Sequence, residues 1–237
     1  MNIKMQFYDE TESTNALLKQ QKEEGATDGT VIVAWKQTEG RGRLGRSFFS
    51  PEGGIYMSML VPKDNSMLLT AKAAVAVRRA ILDETDRRCQ IKWVNDIIYK
   101  GKKVCGILAE SAGDSVVLGI GINFCVRQRN FPEELSQTAI SLYDGSDRCD
   151  AEPMDLVNAV VKNIVQMVEN PDPLWLGEYR GINTVLGKEV DIVQAGKITG
   201  HGTVTEIDND CALHIACGDT ETVLSTGEVS VRERNVK

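Results

Sequence analysis

The sequence contains no apolar run near the roughly 18 residues that a membrane-spanning helix requires. Its opening, MNIKMQFYDETEST, lacks the basic segment, the apolar stretch and the cleavage site of a secretory signal. Internal repeats and low-complexity tracts are also absent. We therefore expect a globular protein of the cytoplasm that neither spans nor binds a membrane.

Cysteine pairs at CxxC spacing are missing, although the chain has 6 cysteines. In a cytoplasmic protein this pattern favours free thiols over disulfides. A zinc site built from His201, Cys211, His214 and Cys217 is disfavoured, because strand alternation places both cysteines on one face and His214 on the other, so that four ligands could not converge. We expect these cysteines to be core residues and predict no metal ligands among the side chains.

Basic residues are outnumbered, since 27 Lys and Arg against 34 Asp and Glu give a formal net charge of −7. Such a charge argues against a general affinity for DNA or for an anionic membrane. The one dense basic segment, residues 40–46, is therefore more informative. Arginines kept together in an acidic protein usually meet an anion there.

Apolar periodicity divides the chain into a part that mixes strands and helices and a later part of strands alone. The strands predicted in the first part are residues 31–35, 55–61, 90–94, 104–110 and 115–122. The helices predicted there follow Ser13, follow Thr70 as a cap, and cover residues 155–169. Later strands are predicted at residues 188–193, 200–207, 211–217 and 221–225, with turns near Ala195-Gly196 and at 208–210. This order predicts an α/β (α+β) fold, a mixed β-sheet flanked by helices and followed by a small β-barrel.

The most regular motif is GRGRLGR at residues 40–46. It satisfies the dinucleotide-binding pattern GxGxxG, but that pattern needs a helix to begin at once, and the following SFFSPEGG is poor helix material. Three glycines permit close approach to a ligand, and three arginines can pair with carboxylate or phosphate oxygens. We interpret the motif as a loop that closes over an anionic ligand; the alternative is a solvated charged loop.

A second motif, KWVND, occupies residues 92–96 at the end of a predicted strand. Alternation turns Lys92 away from Ile91 and Trp93, so its ammonium group needs an anionic partner or a route to solvent. A snorkelling surface lysine is the alternative. Asn95 either belongs to a simple turn or contacts a nucleotide or a metal-bound water.

Two weaker motifs accompany these. STN at residues 13–15 is typical of a helix N-cap, and its short polar side chains also suit a urea-like or amide ligand. GIGIN at residues 119–123 alternates glycine with isoleucine, as a strand does when it passes close to a ligand or to another backbone.

Together and in this order, STN, QTEGRGRLGR, KWVND and GIGIN resemble the catalytic core of biotin–protein ligases over about residues 8–125. The β-rich tail resembles that family's SH3-like C-terminal domain. The resemblance implies a biotin/ATP-binding catalytic domain at residues 1–183 and an SH3-like β-barrel domain at residues 184–237.

The resemblance also implies the roles of individual residues. The residues implied to bind biotin are Ser13, Thr14, Asn15, Gln37, Gly40, Arg41, Gly42, Arg43, Lys92 and Gly106. Those implied to bind ATP are Arg43, Arg46, Phe48, Lys92, Asn95 and Asn123. The catalytic charges would come from Lys92, Arg41 and Arg43, which offset the repulsion between a carboxylate and a phosphate.

The implied reaction is the activation of biotin with ATP, accompanied by Mg²⁺, to biotinyl-5′-AMP. Biotin then passes to a lysine of a biotin carboxyl carrier protein, of acetyl-CoA carboxylase or another biotin-dependent carboxylase. Both a monomer and a homodimer are compatible with the resemblance. A repressor activity is not expected, because only about a dozen residues precede Ser13 and a helix-turn-helix module would not fit there. A lipoate–protein ligase and an inert binding module are the competing interpretations.

Three positions depart from the family's pattern. Val94 replaces the usual proline of KWPND, Phe48 stands where a tryptophan is frequent, and Cys105 replaces a small residue before Gly106. None of them removes a reacting group.

Overall fold

The structure is a computed structural model that describes residues 1–64, 66–145, 149–194, 196–225 and 229–233. The strands are β1 Lys4–Tyr8, β2 Thr30–Ala34, β3 Ile55–Pro62, β4 Gln90–Lys92, β5 Asp96–Tyr99, β6 Lys102–Ala112, β7 Ser115–Ile122, β8 Glu189–Gln194, β9 Lys197–Ile207, β10 Leu213–Cys217, β11 Thr220–Leu224 and β12 Val229–Glu233. The helices are α1 Thr14–Glu23, α2 Ser66–Thr85, α3 Glu133–Ser136, α4 Pro153–Glu169 and α5 Trp175–Gly181. Short 3₁₀ helices lie at Arg43–Gly45 and Gln128–Asn130.

The strands form two sheets. The first seven make one sheet in the order β1-β2-β3-β7-β6-β5-β4, in which β1 and β2 are parallel and the other neighbours are antiparallel. The last five make an antiparallel sheet in the order β11-β10-β9-β8-β12. The predicted fold class, a mixed sheet with helices followed by a β-rich tail, is confirmed.

One face of the large sheet forms the main core. The buried side chains on this face include Val33, Met57, Leu118, Ile120 and Ile122, and they belong to one apolar cluster with α2 and α4. Helix α4 contributes Leu156, Val160 and Ile164, the four-residue steps that predicted an amphipathic helix. At about 25 cal/mol per Å² of apolar area removed from water, this layer is the main source of stability.

The opposite face of the sheet is covered in two different ways. Helix α1 covers one part, where Leu18 packs against Ile32, Leu60 and Val117. Its N-cap is Ser13, whose side chain accepts a hydrogen bond from the Ala16 N–H, as the sequence predicted. Further along the strands, the segment of residues 40–50 takes the place of a helix. This arrangement leaves a gap between helix α1 and the segment of residues 40–50.

Several elements differ from the prediction. Helix α2 begins at Ser66, so the interpretation of Thr70 as its cap is wrong; Thr70 is buried inside the helix. Strands β1, β5 and β12 were not predicted: β1 is short and has no fully buried residue, and β5 has four residues directly after a tight turn. The predicted turn near Ala195-Gly196 involves Ala195, which lies outside the described residues.

The two sheets are joined through the end of β4. The backbone N–H of Ile91 donates to the Ile182 carbonyl at 3.0 Å, and Thr184 N–H donates to the Ile91 carbonyl at 2.8 Å. The indole N–H of Trp93 donates to the carbonyl of Cys211, 2.8 Å away, in the turn between β9 and β10. A domain boundary at residues 183/184 stays a prediction, but this junction lies directly beside Lys92.

The cysteines follow the prediction in part. Cys211 is buried with Leu213 and Ile215, while His214 lies within 3.3 Å of Asp208. The expectation that the cysteines are free thiols is wrong for one pair, since Cys125 and Cys149 form a disulfide. The fold brings the end of β7 and the segment before α4 together, a proximity that spacing along the chain does not reveal.

No helix in the described ranges is both long enough and apolar enough to cross a bilayer.

Candidate active site

The gap between α1 and the 40–50 segment is a cavity of about 240 Å³ on the sheet face opposite the main core. Twelve of the residues proposed from the sequence line it, and they are Ser13, Thr14, Asn15, Gln37, Arg41, Gly42, Arg43, Arg46, Phe48, Lys92, Asn95 and Gly106. The fold therefore brings residues that are up to 93 positions apart in sequence to one site. Whether each of them binds the ligand assigned to it stays a prediction.

The floor of the cavity is made of glycines on β6 and β7. Gly106 pairs with Gly121 across these strands, and Gly119 lies two residues before Gly121 on the same face. A Cβ at Gly119 would clash with Asn15 Oδ1, and a Cβ at Gly121 would lie 2.5 Å from the Phe48 ring. The close approach predicted for the GIGIN motif is therefore made by side chains of α1 and of the loop.

One end of the cavity is neutral and polar. Gln37 Oε1 accepts a hydrogen bond from the Thr14 N–H at 2.9 Å and lies 3.1 Å from the Thr14 hydroxyl oxygen. The Gln37 amide nitrogen donates to Ser50 Oγ at 2.9 Å, and Ser50 donates to the Phe48 carbonyl. These hydrogen bonds connect the N-terminal residues of α1 to the Gly/Arg loop, the segment that begins with the GRGRLGR motif at residues 40–46. Asn15 completes this end and hydrogen-bonds to Ser58 and Glu110.

The other end of the cavity is cationic. Among the residues that the structure describes, its charged lining consists of Arg41, Arg43, Arg46, Lys92 and Lys103 against the single carboxylate of Asp96. Lys103 Nζ lies 2.6 Å from Asp96 Oδ1. Among the described residues, none accepts a hydrogen bond from the ammonium group of Lys92. This accumulation in a chain of net charge −7 favours an anionic ligand.

The orientation of Lys92 follows the sequence prediction. Its neighbours Ile91 and Trp93 are buried in the main core, whereas Lys92 is half-buried and lines the cavity. Lys92 pairs with Asp96, Asp96 with Gly106, and Gly106 with Gly121 in successive strands. Members of such a row share one face of the sheet, so the pleat itself aims the lysine over the glycine floor.

Asn95 holds an arginine in place. Its side-chain oxygen accepts a 2.8 Å hydrogen bond from Arg43 Nη1, while its amide nitrogen donates to the Ile107 carbonyl at 2.6 Å. Burial lowers the pKa of Arg43, and the nearby carboxylate of Asp96 opposes that shift. In this arrangement Asn95 acts on the site through Arg43, a contact that the sequence did not predict.

The Gly/Arg loop is a small hairpin over the cavity. The Gly42 N–H donates to the Arg46 carbonyl at 2.7 Å, and the Phe48 N–H donates to the Gly40 carbonyl at 2.8 Å. Leu44 has a positive φ of 59° and a side chain that is 51% exposed. The tip of the hairpin therefore has few packing contacts, a property suited to a segment that moves when ligand binds.

Phe48 packs onto the glycine floor. Its ring lies edge-on to Tyr56 with centroids 6.4 Å apart, and Lys103 Nζ is 5.6 Å from its centroid. An adenine could stack only on the ring face that these neighbours leave accessible. The contact with ATP that the resemblance implies for Phe48 stays a prediction.

Two residues proposed from the sequence do not line the cavity. Gly40 is buried beneath the loop, where a Cβ would clash with the Phe48 carbonyl and Ser50 Oγ. Asn123 is buried beyond the end of β7, and its amide donates to the Ile140 carbonyl at 3.1 Å. Its position gives no support to a contact with nucleotide.

Sequence reasoning missed three polar residues of the site, Ser58, Lys103 and Glu110. Ser58 and Glu110 lie behind Asn15, and Lys103 lies beside Gly106. A serine in the apolar strand MSMLV was a usable sign of a buried hydrogen-bonding partner. No such sign marked Lys103 in the sequence, because a register irregularity between Ile97 and Ile98 breaks the simple alternation of side chains at the start of β6.

The arrangement suits a particular type of ligand pair. The end at Thr14 and Gln37 suits a small neutral head with hydrogen-bonding groups, and the end at Lys92 suits a carboxylate. Phosphates fit among the arginines of the loop. Such a site can bring two anions together and neutralise the charge that develops between them.

Family models match both parts of the chain. Residues 7–125 match the biotin/lipoate A/B protein ligase family, and residues 185–232 match the biotin protein ligase C-terminal domain. A biotin–[acetyl-CoA-carboxylase] ligase of Mycobacterium tuberculosis is 32% identical over 234 residues, which cover 93% of this chain and 86% of that protein. The bifunctional ligase/repressor of Bacillus subtilis is 40% identical over 146 residues, 57% of this chain. That match spans 45% of the length of the Bacillus protein.

A solved structure shares the whole fold. The biotin protein ligase from Aquifex aeolicus, determined in complex with biotin and ATP, has a TM-score of 0.83 and 31% identity. The superposition covers 97% of this chain and 99% of that one. The chain therefore belongs to the biotin/lipoate A/B protein ligase family and includes the biotin protein ligase C-terminal domain.

Proposed function

We propose that this protein is a biotin–protein ligase that activates biotin with ATP and transfers it to a lysine of a biotin carboxyl carrier protein. The observation that carries the proposal is the cavity itself, in which a neutral polar end adjoins Lys92 and three loop arginines. Biotin combines a cyclic urea with a carboxylate, so one molecule spans both ends.

In the first step, the biotin carboxylate attacks the α-phosphate of ATP. The products are biotinyl-5′-AMP and pyrophosphate. In this proposal Lys92 contacts both the carboxylate and the α-phosphate, and Arg41 and Arg43 add positive charge as the negative charge accumulates; the presence of all three in the cavity lining supports it. Preorganised donors of this kind each contribute about 10²–10³ in rate.

In the second step, the carrier lysine attacks the mixed anhydride as a neutral amine and expels AMP. The products are the amide of biotin and one proton released to solvent. The hairpin of residues 40–46 would cover the anhydride meanwhile and exclude water, which limits hydrolysis. Its exposed tip and its single turn of 3₁₀ helix support this role.

Mg²⁺ accompanies ATP as part of the substrate. Asp96 is the one carboxylate among the described cavity-lining residues, and Lys103 engages it at 2.6 Å. No group of three or more His, Cys, Asp and Glu side chains in the described ranges is placed to hold a metal. The donor set thus fits an ion held mainly by phosphate oxygens and water.

The carrier we propose is the biotin carboxyl carrier part of acetyl-CoA carboxylase, in keeping with the name of the Mycobacterium relative. We propose ligase activity alone, because a net charge of −7 disfavours binding to DNA.

Transfer to a purified carrier domain tests this function. The protein is incubated with ATP, Mg²⁺ and equal concentrations of biotin and lipoate, and the carrier is analysed by intact mass. We expect the mass of one biotin, lost when the acceptor lysine is changed to arginine. A carrier that gains lipoate, or neither group, would reject the proposal.

A further inference from the structure

A chain of hydrogen bonds runs beneath the neutral end of the cavity and ends at an ion pair near the surface. Glu110 on β6 accepts hydrogen bonds from the Asn15 amide and from Lys19, each 2.6 Å long. On the other side of Asn15, Ser58 Oγ lies 2.6 Å from Asn15 Oδ1 and 2.7 Å from Thr14 Oγ1. Glu110 and Lys19 are outside the cavity lining, with side chains 24% and 31% exposed.

The charge of Glu110 fixes the orientation of Asn15. Burial alone would raise the pKa of Glu110, but the hydrogen bonds from Asn15 and Lys19 outweigh it and hold that pKa below its ordinary value. An ionised carboxylate accepts hydrogen bonds and donates none. The amide nitrogen of Asn15 must therefore face Glu110, and the amide oxygen must face Ser58.

This orientation sets the direction of the next hydrogen bonds. Ser58 has a single hydroxyl hydrogen, and Asn15 Oδ1 accepts it. Thr14 then donates its hydroxyl hydrogen to Ser58 at 2.7 Å, a shorter distance than the 3.1 Å to Gln37 Oε1. Gln37 Oε1 still accepts the Thr14 backbone N–H. The oxygens of Asn15, Thr14 and Gln37 are left with lone pairs, so this end of the cavity accepts hydrogen bonds.

We propose that Glu110, which Lys19 pairs with, is a positioning residue that makes the neutral end of the cavity select a cyclic urea through its two N–H groups. The inference rests on the proposed function, in which biotin supplies that urea. Lipoate has a dithiolane ring without N–H groups, so it gains nothing from acceptors placed there. Specificity of this kind arises because buried acceptors stay unpaired with the wrong ligand.

The substitution Glu110→Gln tests the polarity of the chain. A glutamine amide donates as well as accepts, so Asn15 can turn over and present donors where acceptors stood. We expect the Kd for biotin, measured by calorimetry, to rise about tenfold, which corresponds to about 1.4 kcal/mol. The Kd for ATP alone should stay within about twofold of the wild-type value, since the cationic end is unaltered.

Two control variants separate polarity from charge. Lys19→Gln removes the ion pair but keeps the carboxylate, so we expect the Kd for biotin to rise by less than about threefold. Asp114→Asn removes the same charge from the turn between β6 and β7, where Asp114 pairs with Lys22 of α1 at 2.9 Å. That variant should bind biotin as the wild type does.

A second variant tests the chain from its middle. Ser58→Ala breaks the link between Asn15 and Thr14 without touching the cavity lining, and it should also raise the Kd for biotin about tenfold. The Kd for biotin of Ser58→Ala keeps the inference testable if Glu110→Gln does not fold.

The outcomes are distinct. If the wild type binds biotin and either Glu110→Gln or Ser58→Ala binds it with an unchanged Kd, this inference is overturned and the proposed function still stands. Equal losses for Glu110→Gln and Lys19→Gln also overturn it, because an ion pair alone would then explain the effect. A wild-type protein that does not bind biotin overturns the proposed function and this inference with it.

Discussion

Asn95 holds Arg43 at the cavity through one hydrogen bond and anchors itself to the Ile107 carbonyl through another. Both ends of the amide are thus engaged within the protein. The substitution Asn95→Ala leaves Arg43 without this acceptor, and hydrogen bonds to charged groups contribute roughly 1.5–3 kcal/mol. We expect the KM for ATP to rise about tenfold in biotin-dependent pyrophosphate exchange, with a smaller change in the KM for biotin.

Asn163→Ala is the control for that variant. Asn163 also donates to a backbone carbonyl, that of Ala76 at 3.3 Å, but it lies far from the cavity. Its KM for ATP should match that of the wild type. An unchanged KM in Asn95→Ala would show that the position of Arg43 does not depend on this contact.

His214 makes the stability of the β-rich tail depend slightly on pH. Hydrogen bonding to Asp208 raises the pKa of His214 above 6.5, with a further contribution from Glu221. Because the folded-state pKa is raised, this stabilisation is full below pH 6.5 and is lost as the pH rises through the raised pKa. The pairs are near the surface, so the contribution is below about 1 kcal/mol. We expect the free energy of unfolding in urea to fall less between pH 6 and pH 8 in His214→Gln than in the wild type.

The sequence predicted individual side chains well where one rule decided their direction. Alternation placed Lys92 opposite Ile91 and Trp93, and the N-cap pattern placed Ser13 at the start of α1. Asn123 shows where such rules end, because its role came from the motif alone and the chain turns away from the cavity there. Glu110 was missed because its partners Asn15 and Lys19 are more than 90 residues away.

At the scale of elements, strand β7 owes its function to having glycine on one face and isoleucine on the other. Gly119→Ala places a methyl group against Asn15 Oδ1. Asn15 must then move away from the cavity, because β7 is the central strand of the sheet and cannot shift. We expect the Kd for biotin to rise about tenfold, on the scale of 1–3 kcal/mol for overpacking.

Gly177→Ala provides the comparison, since a Cβ on that residue of α5 meets nothing within 4 Å. It should bind biotin normally and be slightly more stable, by up to about 1 kcal/mol. Equal binding by Gly119→Ala and Gly177→Ala would contradict the role assigned to the glycine floor.

Elements with strong periodicity were predicted, and those set by distant partners were not. Helix α4 and strands β3 and β7 repeat their apolar residues clearly enough to be identified. Strand β1 is partly exposed and polar, and it is a strand because it pairs with β2 at the sheet edge. Composition alone does not encode that pairing.

At the scale of the whole molecule, the last third of the chain supports the KWVND segment from α5, from residues 182–184 and from the turn between β9 and β10. Trp93 donates to the Cys211 carbonyl, and Tyr179 of α5 donates to the Val94 carbonyl at 3.1 Å. Residues 182–184 pair with Ile91. The lysine of the site is therefore flanked by contacts that arise in the last third of the chain.

Trp93→Phe tests this connection. The variant leaves the buried Cys211 carbonyl without its donor, which costs about 1–3 kcal/mol. We expect the free energy of unfolding in urea to fall by about 2 kcal/mol and pyrophosphate exchange to fall as well, because Lys92 is adjacent. Trp175→Phe, at a buried indole without such a bond among the described residues, should lower stability with little effect on exchange. Parallel losses of exchange in the two variants would contradict a specific link.

The division into a mixed α/β part and a β-rich tail was predictable, because the period of the apolar pattern changes along the chain. The contacts between these parts were not. They include backbone hydrogen bonds at Ile91, the indole of Trp93 and the guanidinium of Arg180, which donates to the Ile207 carbonyl, and none of these leaves a mark in local sequence.

Biotin-dependent exchange of labelled pyrophosphate into ATP tests the central claim most directly. The claim is that the cavity joins a biotin carboxylate to the α-phosphate of ATP through Lys92. We predict exchange that requires biotin, is not supported by lipoate, and falls about a hundredfold or more in Lys92→Met. Absence of exchange in the folded wild type with Mg²⁺ present, or a Lys92→Met variant as active as the wild type, would contradict the account.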